Sequence, residues 1–405
     1  MGEKYLMDLA DEVNALCRSA EMERRKHLWE TLLRGEAPAE KIPVKCSPFM
    51  AGHYDLVWQR LMPEETLHCS EGLARHLEIQ LRKKIFKFRY LRDDDVILPT
   101  VWVFSREVIP PIELWGVRMD VTRPQEVGGA YKEIPLLGNE EDLGRVTLPR
   151  FLQDREADNE TARRAVELVD GRIPIKLYGS QVSFSPYEYA VRLRGAEPLL
   201  FDLYDRPQFV HRLMSRVTEG IVSYARQREA AGAFDVEETL LLHEPWDRVE
   251  PGTEHKLSSA WVYISAQSSA GLGPEMYAEF VHPYHERIAP YFKKVYYHGC
   301  EDLGKKVASI VKLPNLKHFH VSPWTSLADV APHLAGKKIA MEVHAHPTNV
   351  LFVFGPEEIR AEARRRMDEA QGLPMDYVLC DLQTIDGADG KLQMWCDIAM
   401  EESVR

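Results

Sequence analysis

The stretch from residue 260 to residue 381 decides the fold, because strand-like and helix-like segments alternate along it with short connections. In order it reads AWVYISAQ (260–267), GPEMYAEFVHPYHERIAPYF (273–292), KKVYYHG (293–299), EDLGKKVASIVKL (301–313), LKHFHVSP (316–323), SLADVAPHLAG (326–336), KKIAMEVHAHP (337–347), GPEEIRAEARRRMDEAQG (355–372) and MDYVLCD (375–381). Such alternation is typical of a parallel sheet with helices packed outside it. The sequence therefore predicts an α/β fold.

Four further strand candidates precede this stretch. They are KIPVKCS (41–47), VILPTVWVFS (96–105), PIKLYGSQVSFSP (174–186), which reads as strand and then loop, and DVEETLLLHEP (235–245). No glycine-rich phosphate loop follows any strand candidate, which argues against an open nucleotide-binding sheet. A total of about eight or nine strands instead favours a closed (β/α)8 TIM barrel.

We interpret residues 1–405 as a single barrel domain, because α/β barrels routinely reach this length. Residues 1–40 carry apolar side chains at helical spacing and predict an N-terminal helical extension. Residues 105–172 are rich in proline and charge. There we expect an elaborated loop with one helix over 160–169, N-capped by Asn159.

Composition and charge exclude several classes of protein. The formal net charge is −12, whereas nucleic-acid binding needs an excess of Lys and Arg. The N-terminal residues include no continuous apolar segment of the kind a signal peptide has, and no apolar run approaches the length of a membrane span. We therefore expect a cytoplasmic protein that binds neither nucleic acid nor membrane.

Polar side chains gather where the strand candidates end, which is where a (β/α)8 barrel carries its active site. Many of these candidates are of metal-ligating type. The full set is Cys46, Ser180, Gln181, Glu238, His243, Glu244, Gln267, His298, Cys300, Glu301, Ser322, Glu342, His344, His346, Cys380 and Asp381. The six cysteines are scattered without a CxxC pair, so a disulfide framework is not expected and a metal site must join distant segments.

The sharpest motif is YYHGCED (296–302), in which His298 and Cys300 flank Gly299 directly after a strand. Residues i and i+2 of an extended strand share one side, and glycine allows a turn between them. An imidazole and a thiolate together suit tetrahedral Zn²⁺. The alternative is a packed histidine and a buried cysteine at a strand–helix junction.

Weaker candidates lie on other strand ends. His344 and His346 are again i and i+2, and fit either a metal pair or a substrate contact. His243 and Glu244 are adjacent and point to opposite faces, so at most one of them belongs to a site. Cys380 is a candidate third metal ligand. Aromatic residues near strand exits, Trp324 among them, fit a pocket wall or ordinary barrel packing equally well.

The run from Leu272 to Glu342 resembles the uroporphyrinogen decarboxylase superfamily, and the entry LLRGEAPAEKIPV (32–44) is similar to that family's path from helix to first strand. Within the superfamily the chain is most similar to the corrinoid-dependent methyltransferases. Porphyrin decarboxylases carry an arginine-rich segment after the first strand, whereas KCSPFMAGHYDLVW (45–58) contains no arginine. The resemblance therefore disfavours porphyrin decarboxylation.

This resemblance implies methyl transfer between a small methylated substrate, such as a methoxylated aromatic, and cobalamin on a partner corrinoid protein. It implies zinc bound by the His298–Cys300 pair and a third ligand, for which Cys380, Glu238 and His344 are the alternatives. It also implies a corrinoid protein docked at the barrel mouth, and a homodimer is compatible with the family. The further roles we assign are proton donation or orientation by Glu301, Glu244 or His344, and cofactor contacts by Gln267, Ser322 and Trp324.

Three other functions compete with this interpretation. One is a uroporphyrinogen-decarboxylase-like carboxy-lyase, and another is a non-catalytic barrel that binds a corrinoid without metal. A metal-dependent hydrolase of another barrel family would need a two-metal His/Asp cluster, and the first strand carries no HxH motif to support it.

Overall fold

Ten strands in three sheets are found in the computed structural model, which describes residues 2–47, 56–70, 72–122, 132–241 and 245–404. In chain order the strands are β1 (Val44–Cys46), β2 (Val101–Phe104), β3 (Val121–Thr122), β4 (Lys132–Glu133), β5 (Ile175–Tyr178), β6 (Trp261–Ser265), β7 (Lys294–His298), β8 (Leu316–Val321), β9 (Ala340–His344) and β10 (Met375–Leu379).

Eight of these strands are parallel to a neighbour, as the sequence predicts for an α/β fold. Six form one sheet in the order β1-β10-β9-β8-β7-β6, and β2 pairs in parallel with β5. The remaining pair, β3 and β4, is a short antiparallel ribbon inside the 105–172 segment. The first strand lies beside the last, an arrangement consistent with a TIM barrel.

Side chains occupy the outer edge of β1, where a closed barrel would place β2. The Val44 N–H donates to Asp94 Oδ2 at 2.9 Å, and the Cys46 N–H donates to Asp93 Oδ2 at 2.8 Å. Both aspartates are fully buried. Carboxylates therefore satisfy the donors of this strand edge, which a buried strand cannot leave unpaired.

The facing edge of β2 is satisfied in the same way by Gln80 of the helix Gly72–Phe86. The Trp102 N–H donates to Gln80 Oε1 at 3.0 Å, and Gln80 Nε2 donates to Trp102 O at 2.6 Å. His76 Nε2 also lies 2.8 Å from that carbonyl oxygen. One helix thus closes the β2 edge with a side-chain amide in place of a strand.

We expect Gln80→Ala to destabilise the protein by about 1–3 kcal/mol, because it leaves the Trp102 N–H without an acceptor while His76 still serves the carbonyl. Urea unfolding followed by circular dichroism measures the change. Gln208→Ala, at an exposed helix position, is the matched control and should be near neutral. Equal stability of the two variants would show that Gln80 does not support this strand edge.

The α-helices of the described chain pack around the sheets and include a two-helix N-terminal extension, as the sequence predicts. They are Gly2–Cys17, Ala20–Leu33, Leu56–Leu61, Gly72–Phe86, Arg155–Leu168, Pro186–Arg194, Ala196–Asp205, Pro207–Ala230, Pro274–Phe280, His282–Ile288, Val307–Ile310, Leu327–Leu334, Pro356–Glu369 and Lys391–Glu402. Leu6 and Val13 of the first helix share a buried cluster with Leu77 and with Val101 of β2, which ties the extension to the two-stranded sheet.

The predicted strand over 235–245 is wrong for the part that the structure describes. Val236–Leu241 is a 3₁₀-helix, started by Asp235, whose Oδ1 accepts the Glu237 N–H at 2.9 Å. An aspartate that bonds to the backbone two residues ahead favours a turn over a strand. Residues 242–244 lie outside the described residues.

Several helix boundaries also differ from the predicted ones. The helix predicted over 160–169 runs over Arg155–Leu168, and its N-cap is Asp154, whose Oδ1 accepts the Ala157 N–H at 3.1 Å, so Asn159 is not the cap. The long helix predicted over 273–292 breaks at Val281. Pro283 explains the break, because proline lacks an N–H and restricts the residue before it.

Candidate metal centre

The main sheet places titratable side chains on one face of three adjacent strands. His318 and His320 lie on β8, Glu342 and His344 on β9, and Asp376 on β10. The register pairs His320 with Glu342 and Glu342 with Asp376. Because side chains alternate along a strand, these five share one side of the sheet. All five are buried, whereas barrel interiors are usually filled by branched apolar residues.

Glu342 is the centre of this group. Its Oε1 accepts the Tyr296 hydroxyl at 2.6 Å, and it lies 2.6 Å from His344 Nε2 and 3.3 Å from His320 Nδ1. Burial alone would raise the pKa of this carboxyl, but His344 and the hydrogen bond from His320 hold the pKa of Glu342 well below its usual range. The carboxylate is therefore ionised deep inside the protein.

A thiol lies above this carboxylate, at the C-terminal end of β10. Cys380 Sγ lies 3.2 Å from His344 Nδ1 and 3.8 Å from Nε2, so the thiol packs against the face of the ring whose Nε2 contacts Glu342. Burial, reinforced by Asp381 and Glu342, raises the pKa of Cys380 well above its usual range. A bound cation reverses such a shift, because metal ligation deprotonates a thiol. Histidine held on one nitrogen by a carboxylate is the usual arrangement of a metal-binding imidazole.

Asp381 follows Cys380 in a left-handed backbone conformation, with φ of 59°. This conformation is uncommon for residues other than glycine, and such strain often lies at functional sites. Cys300 Sγ lies 3.7 Å from Asp381 Oδ2. Burial, followed by the negative charge of Asp381, raises the pKa of the Cys300 thiol to about 12. Two thiols and a carboxylate thus converge from the ends of β7 and β10.

Among the described residues, three overlapping sets of side chains could hold a metal ion. Within each set the ligand atoms lie within 4.8 Å of one another. The sets are His320, Glu342 and His344; His344, Cys380 and Asp381; and His318, Glu342 and Asp376. Nitrogen and sulfur ligands in the second set suit Zn²⁺. Burial lowers the pKa of His320 to about 4, which keeps its imidazole in the neutral form that binds metal.

The predicted His298–Cys300 pair borders this centre but is not in those three sets. His298 ends β7, its Nδ1 lies 2.6 Å from the Tyr263 hydroxyl, and its ring centroid is 4.1 Å from that of His320. Cys300 reaches the centre through Asp381. Metal binding by His298 and Cys300 stays a prediction, as it does for Cys380.

Glu238 is placed differently from the other candidate ligands. Its two oxygens contact the Arg228 guanidinium at 2.5 and 2.8 Å, and both side chains are buried. An arginine that takes both carboxylate oxygens leaves little capacity for a cation. We therefore leave Glu238 out of the proposed metal ligands. Glu244, a candidate proton donor, lies outside the described residues.

Glu301 lies in the loop that follows β7, beside Cys300. Burial raises the pKa of Glu301. Lys306 Nζ is 3.5 Å from its Oε1, and its Oε2 is buried without a hydrogen-bond partner.

The three predicted cofactor contacts lie in different surroundings. Ser322 anchors the loop after β7 by donating to Glu301 O at 2.9 Å. Gln267 bonds to the Cys300 thiol, and Trp324 stands at the rim with its ring 4.7 Å from that of His346.

His318, His320 and Asp376 were not singled out from the sequence. They lie inside strands, whereas the active-site residues of a (β/α)8 barrel are expected at strand ends. The signal was present, since HFH (318–320) places two histidines at i and i+2, and MDY (375–377) places an aspartate within an otherwise apolar strand.

Known proteins are similar to this chain in part of its sequence and in its fold. The family model described as Uroporphyrinogen decarboxylase (URO-D) matches residues 258–380. Uroporphyrinogen decarboxylases of Xanthomonas campestris pv. campestris strains B100 and 8004 are each 26% identical over 242 residues, covering 53% of this chain. The match spans 56% of the length of these relatives.

A solved structure described as a methyltransferase from Methanosarcina mazei has the same fold, with a TM-score of 0.56 at 13% identity. The superposition covers 93% of this chain and 98% of that one. The comparisons confirm the resemblance predicted from the sequence: the chain is similar to the uroporphyrinogen decarboxylase superfamily, and by its fold to a methyltransferase. In the described part of the chain no helix is long and apolar enough to cross a membrane.

Proposed function

We propose that this protein is a zinc-dependent methyltransferase that moves a methyl group between a small methylated substrate and the cobalt of a corrinoid protein. The observation that carries the proposal is the contact of 3.2 Å between Cys380 Sγ and His344 Nδ1, at the C-terminal ends of β10 and β9. This pair occupies the place where enzymes of barrel architecture carry their chemistry.

In the proposed site Cys380, His344 and Asp381 bind the zinc ion, and Cys300 or His298 completes the set. Zinc held there would act as a Lewis acid on a substrate sulfur, oxygen or nitrogen. Glu342 holds Nε2 of His344, so Nδ1, beside the thiol of Cys380, is the nitrogen that would bind zinc.

Glu301 is the proposed proton donor to the group that loses its methyl. Burial raises the pKa of Glu301, which favours the protonated form, and its buried Oε2 makes no hydrogen bond. A carboxylic acid of this kind can protonate an alkoxide as the alkoxide leaves. Lys306, whose ammonium group donates to Ser269 O at 2.8 Å, holds the other oxygen in place.

We expect Glu301→Gln to lower kcat by about 10²-fold with methyl ethers whose leaving alkoxide is strongly basic. The loss should be small with acidic phenol leaving groups, because these need no proton. The measurement is kcat across a series of aryl methyl ethers, with the neighbouring Asp302→Asn as control. An equal loss for every leaving group would show that Glu301 acts on the structure of the loop instead.

An apolar rim beside the site supports a protein partner that carries the cobalamin. Trp324, Phe352 and Val353 are 63%, 49% and 67% exposed, and they follow β8 and β9 at the same end of the sheet as Cys380. Exposed aromatic and aliphatic groups next to a site are typical of a surface that another molecule covers. The cytoplasmic location and the homodimer stay predictions.

Anaerobic methyl transfer tests the proposal against its alternatives. Zinc-loaded protein is incubated with cob(I)alamin and a panel of methoxylated aromatics, methyl thioethers and methylamines, and formation of methylcobalamin is followed by absorbance. We expect transfer from at least one class. No transfer from any, together with decarboxylation of uroporphyrinogen, would establish the carboxy-lyase. Corrinoid binding without transfer or metal would establish the non-catalytic barrel.

A further inference from the structure

We infer that the barrel interior holds a second divalent-cation site, formed by His318, Glu342 and Asp376. The ligand atoms of these three residues lie within 4.8 Å of one another. None of them is among the proposed zinc ligands His344, Cys380, Asp381, Cys300 and His298. The inference therefore goes beyond the proposed function, and the two sites can be emptied separately.

The second site lies deeper in the sheet than the thiol site. Asp376 precedes Cys380 by four residues on the same strand path, which corresponds to about 13 Å of extended chain. His318 and Asp376 are fully buried and Glu342 is nearly so. The cation would be held inside the strands, with no contact to the barrel mouth.

The pair at the bottom of the site forms a direct hydrogen bond, whose proton a cation would replace. His318 Nε2 lies 2.7 Å from Asp376 Oδ1, with Glu342 beside both residues. One imidazole and two carboxylates form a nitrogen and oxygen set that suits zinc, manganese or iron. This set contains no sulfur, which distinguishes it chemically from the thiol site.

Unsatisfied buried atoms point independently to a ligand. His318 Nδ1 and Asp376 Oδ2 have no hydrogen-bond partner, and neither side chain is exposed. His320 lies two residues further along the same face of β8, and its Nε2 is also without a partner. Buried polar atoms are nearly always satisfied in native proteins, so three unsatisfied atoms in one region of the sheet favour a bound group. An ion accounts for them where a hydrophobic core does not.

Charge is compatible with a cation here. Glu342 and Asp376 bring two carboxylates into the interior, where His318 bonds to Asp376 and where Tyr296, His320 and His344 contact Glu342. Lys45 of β1 also influences Asp376, but no ion pair of Lys45 is found among the described residues. Buried charges are otherwise paired or bound to metal. A divalent cation would neutralise both carboxylates and fix Glu342, which in turn orients His344.

The test is a metal titration of the full chain, stripped with EDTA and reloaded with zinc alone. We expect about two zinc ions per chain in the wild type and about one in Asp376→Asn and in His318→Gln. Asp158→Asn, a buried aspartate elsewhere, should keep both ions. Mass spectrometry gives the stoichiometry, and circular dichroism confirms that each variant is folded.

Cobalt loading separates this inference from the proposed function. Co²⁺ bound by thiolates gives an intense charge-transfer band, which Asp376→Asn should retain and Cys380→Ala should lose, while each variant keeps about one ion. Absence of the band in the wild type would contradict the thiol site but not the second site. One ion or none in the wild type, unchanged in Asp376→Asn, would overturn the second site. If both deep variants fail to fold, the ion that remains in Cys380→Ala/His344→Ala decides, and its absence would overturn the inference.

Discussion

Replacement of Cys380 by alanine is expected to remove zinc from the thiol site and to lower methyl transfer by about 10³-fold. The thiol is fully buried against His344, and no other cysteine lies within contact of that imidazole among the described residues. Loss of a sulfur ligand leaves a site too weak to keep its ion at ordinary zinc concentrations. A Lewis acid contributes several kcal/mol to the transition state, and each 1.36 kcal/mol is tenfold in rate.

The matched control is Cys17→Ala. Cys17 is also a buried thiol, but it donates to Ile97 O at 3.1 Å in the N-terminal extension, remote from the metal centre. Zinc content and methyl-transfer rate should be unchanged in this variant. Full activity in folded Cys380→Ala that has lost the ion of the thiol site would show that the methyl group moves without this site.

The second large effect is on stability. We expect Glu238→Gln to lower the free energy of unfolding by about 3–5 kcal/mol, because it leaves the buried Arg228 guanidinium without its counter-charge. The two side chains are 3% and 6% exposed, so solvent does not screen the pair. Differential scanning calorimetry and urea unfolding of the purified variant measure the loss.

The same variant tests whether Glu238 is a metal ligand. With Arg228 as its partner, the zinc content of folded Glu238→Gln should equal that of the wild type. Glu156→Gln, on an exposed helix position, should change neither property. Loss of zinc with normal stability would restore Glu238 to the metal site and contradict the ion-pair assignment.

The C-terminal half of the fold was accessible from the sequence because each strand there is a short apolar run followed by a periodic helix. The same rule placed Cys380, Glu342 and His344 at or near strand ends, and the structure brings these three together. His318 and Asp376 escaped because they lie inside strands. Their meeting depends on the lateral register of β8, β9 and β10, which a single sequence does not specify.

The N-terminal half was harder to predict because its strand edges are satisfied by side chains. Asp94 accepts a hydrogen bond from the backbone of β1, and Gln80 accepts one from the backbone of β2. Neither residue lies in a local sequence pattern that predicts such a contact. Asp235 likewise turns an apparently strand-like run into a 3₁₀-helix through one hydrogen bond. Tertiary contacts override local propensity at Asp94 and Gln80, whereas at Asp235 a local turn does so.

X-ray absorption at the zinc edge identifies the atoms bound to zinc. We expect a zinc–sulfur shell at about 2.3 Å in the zinc-loaded wild type, absent from Cys380→Ala and retained in Cys17→Ala. Zinc surrounded only by nitrogen and oxygen in the wild type, or a folded wild-type protein that binds no zinc, would contradict the thiol-bound zinc centre and with it the proposed mechanism of methyl transfer.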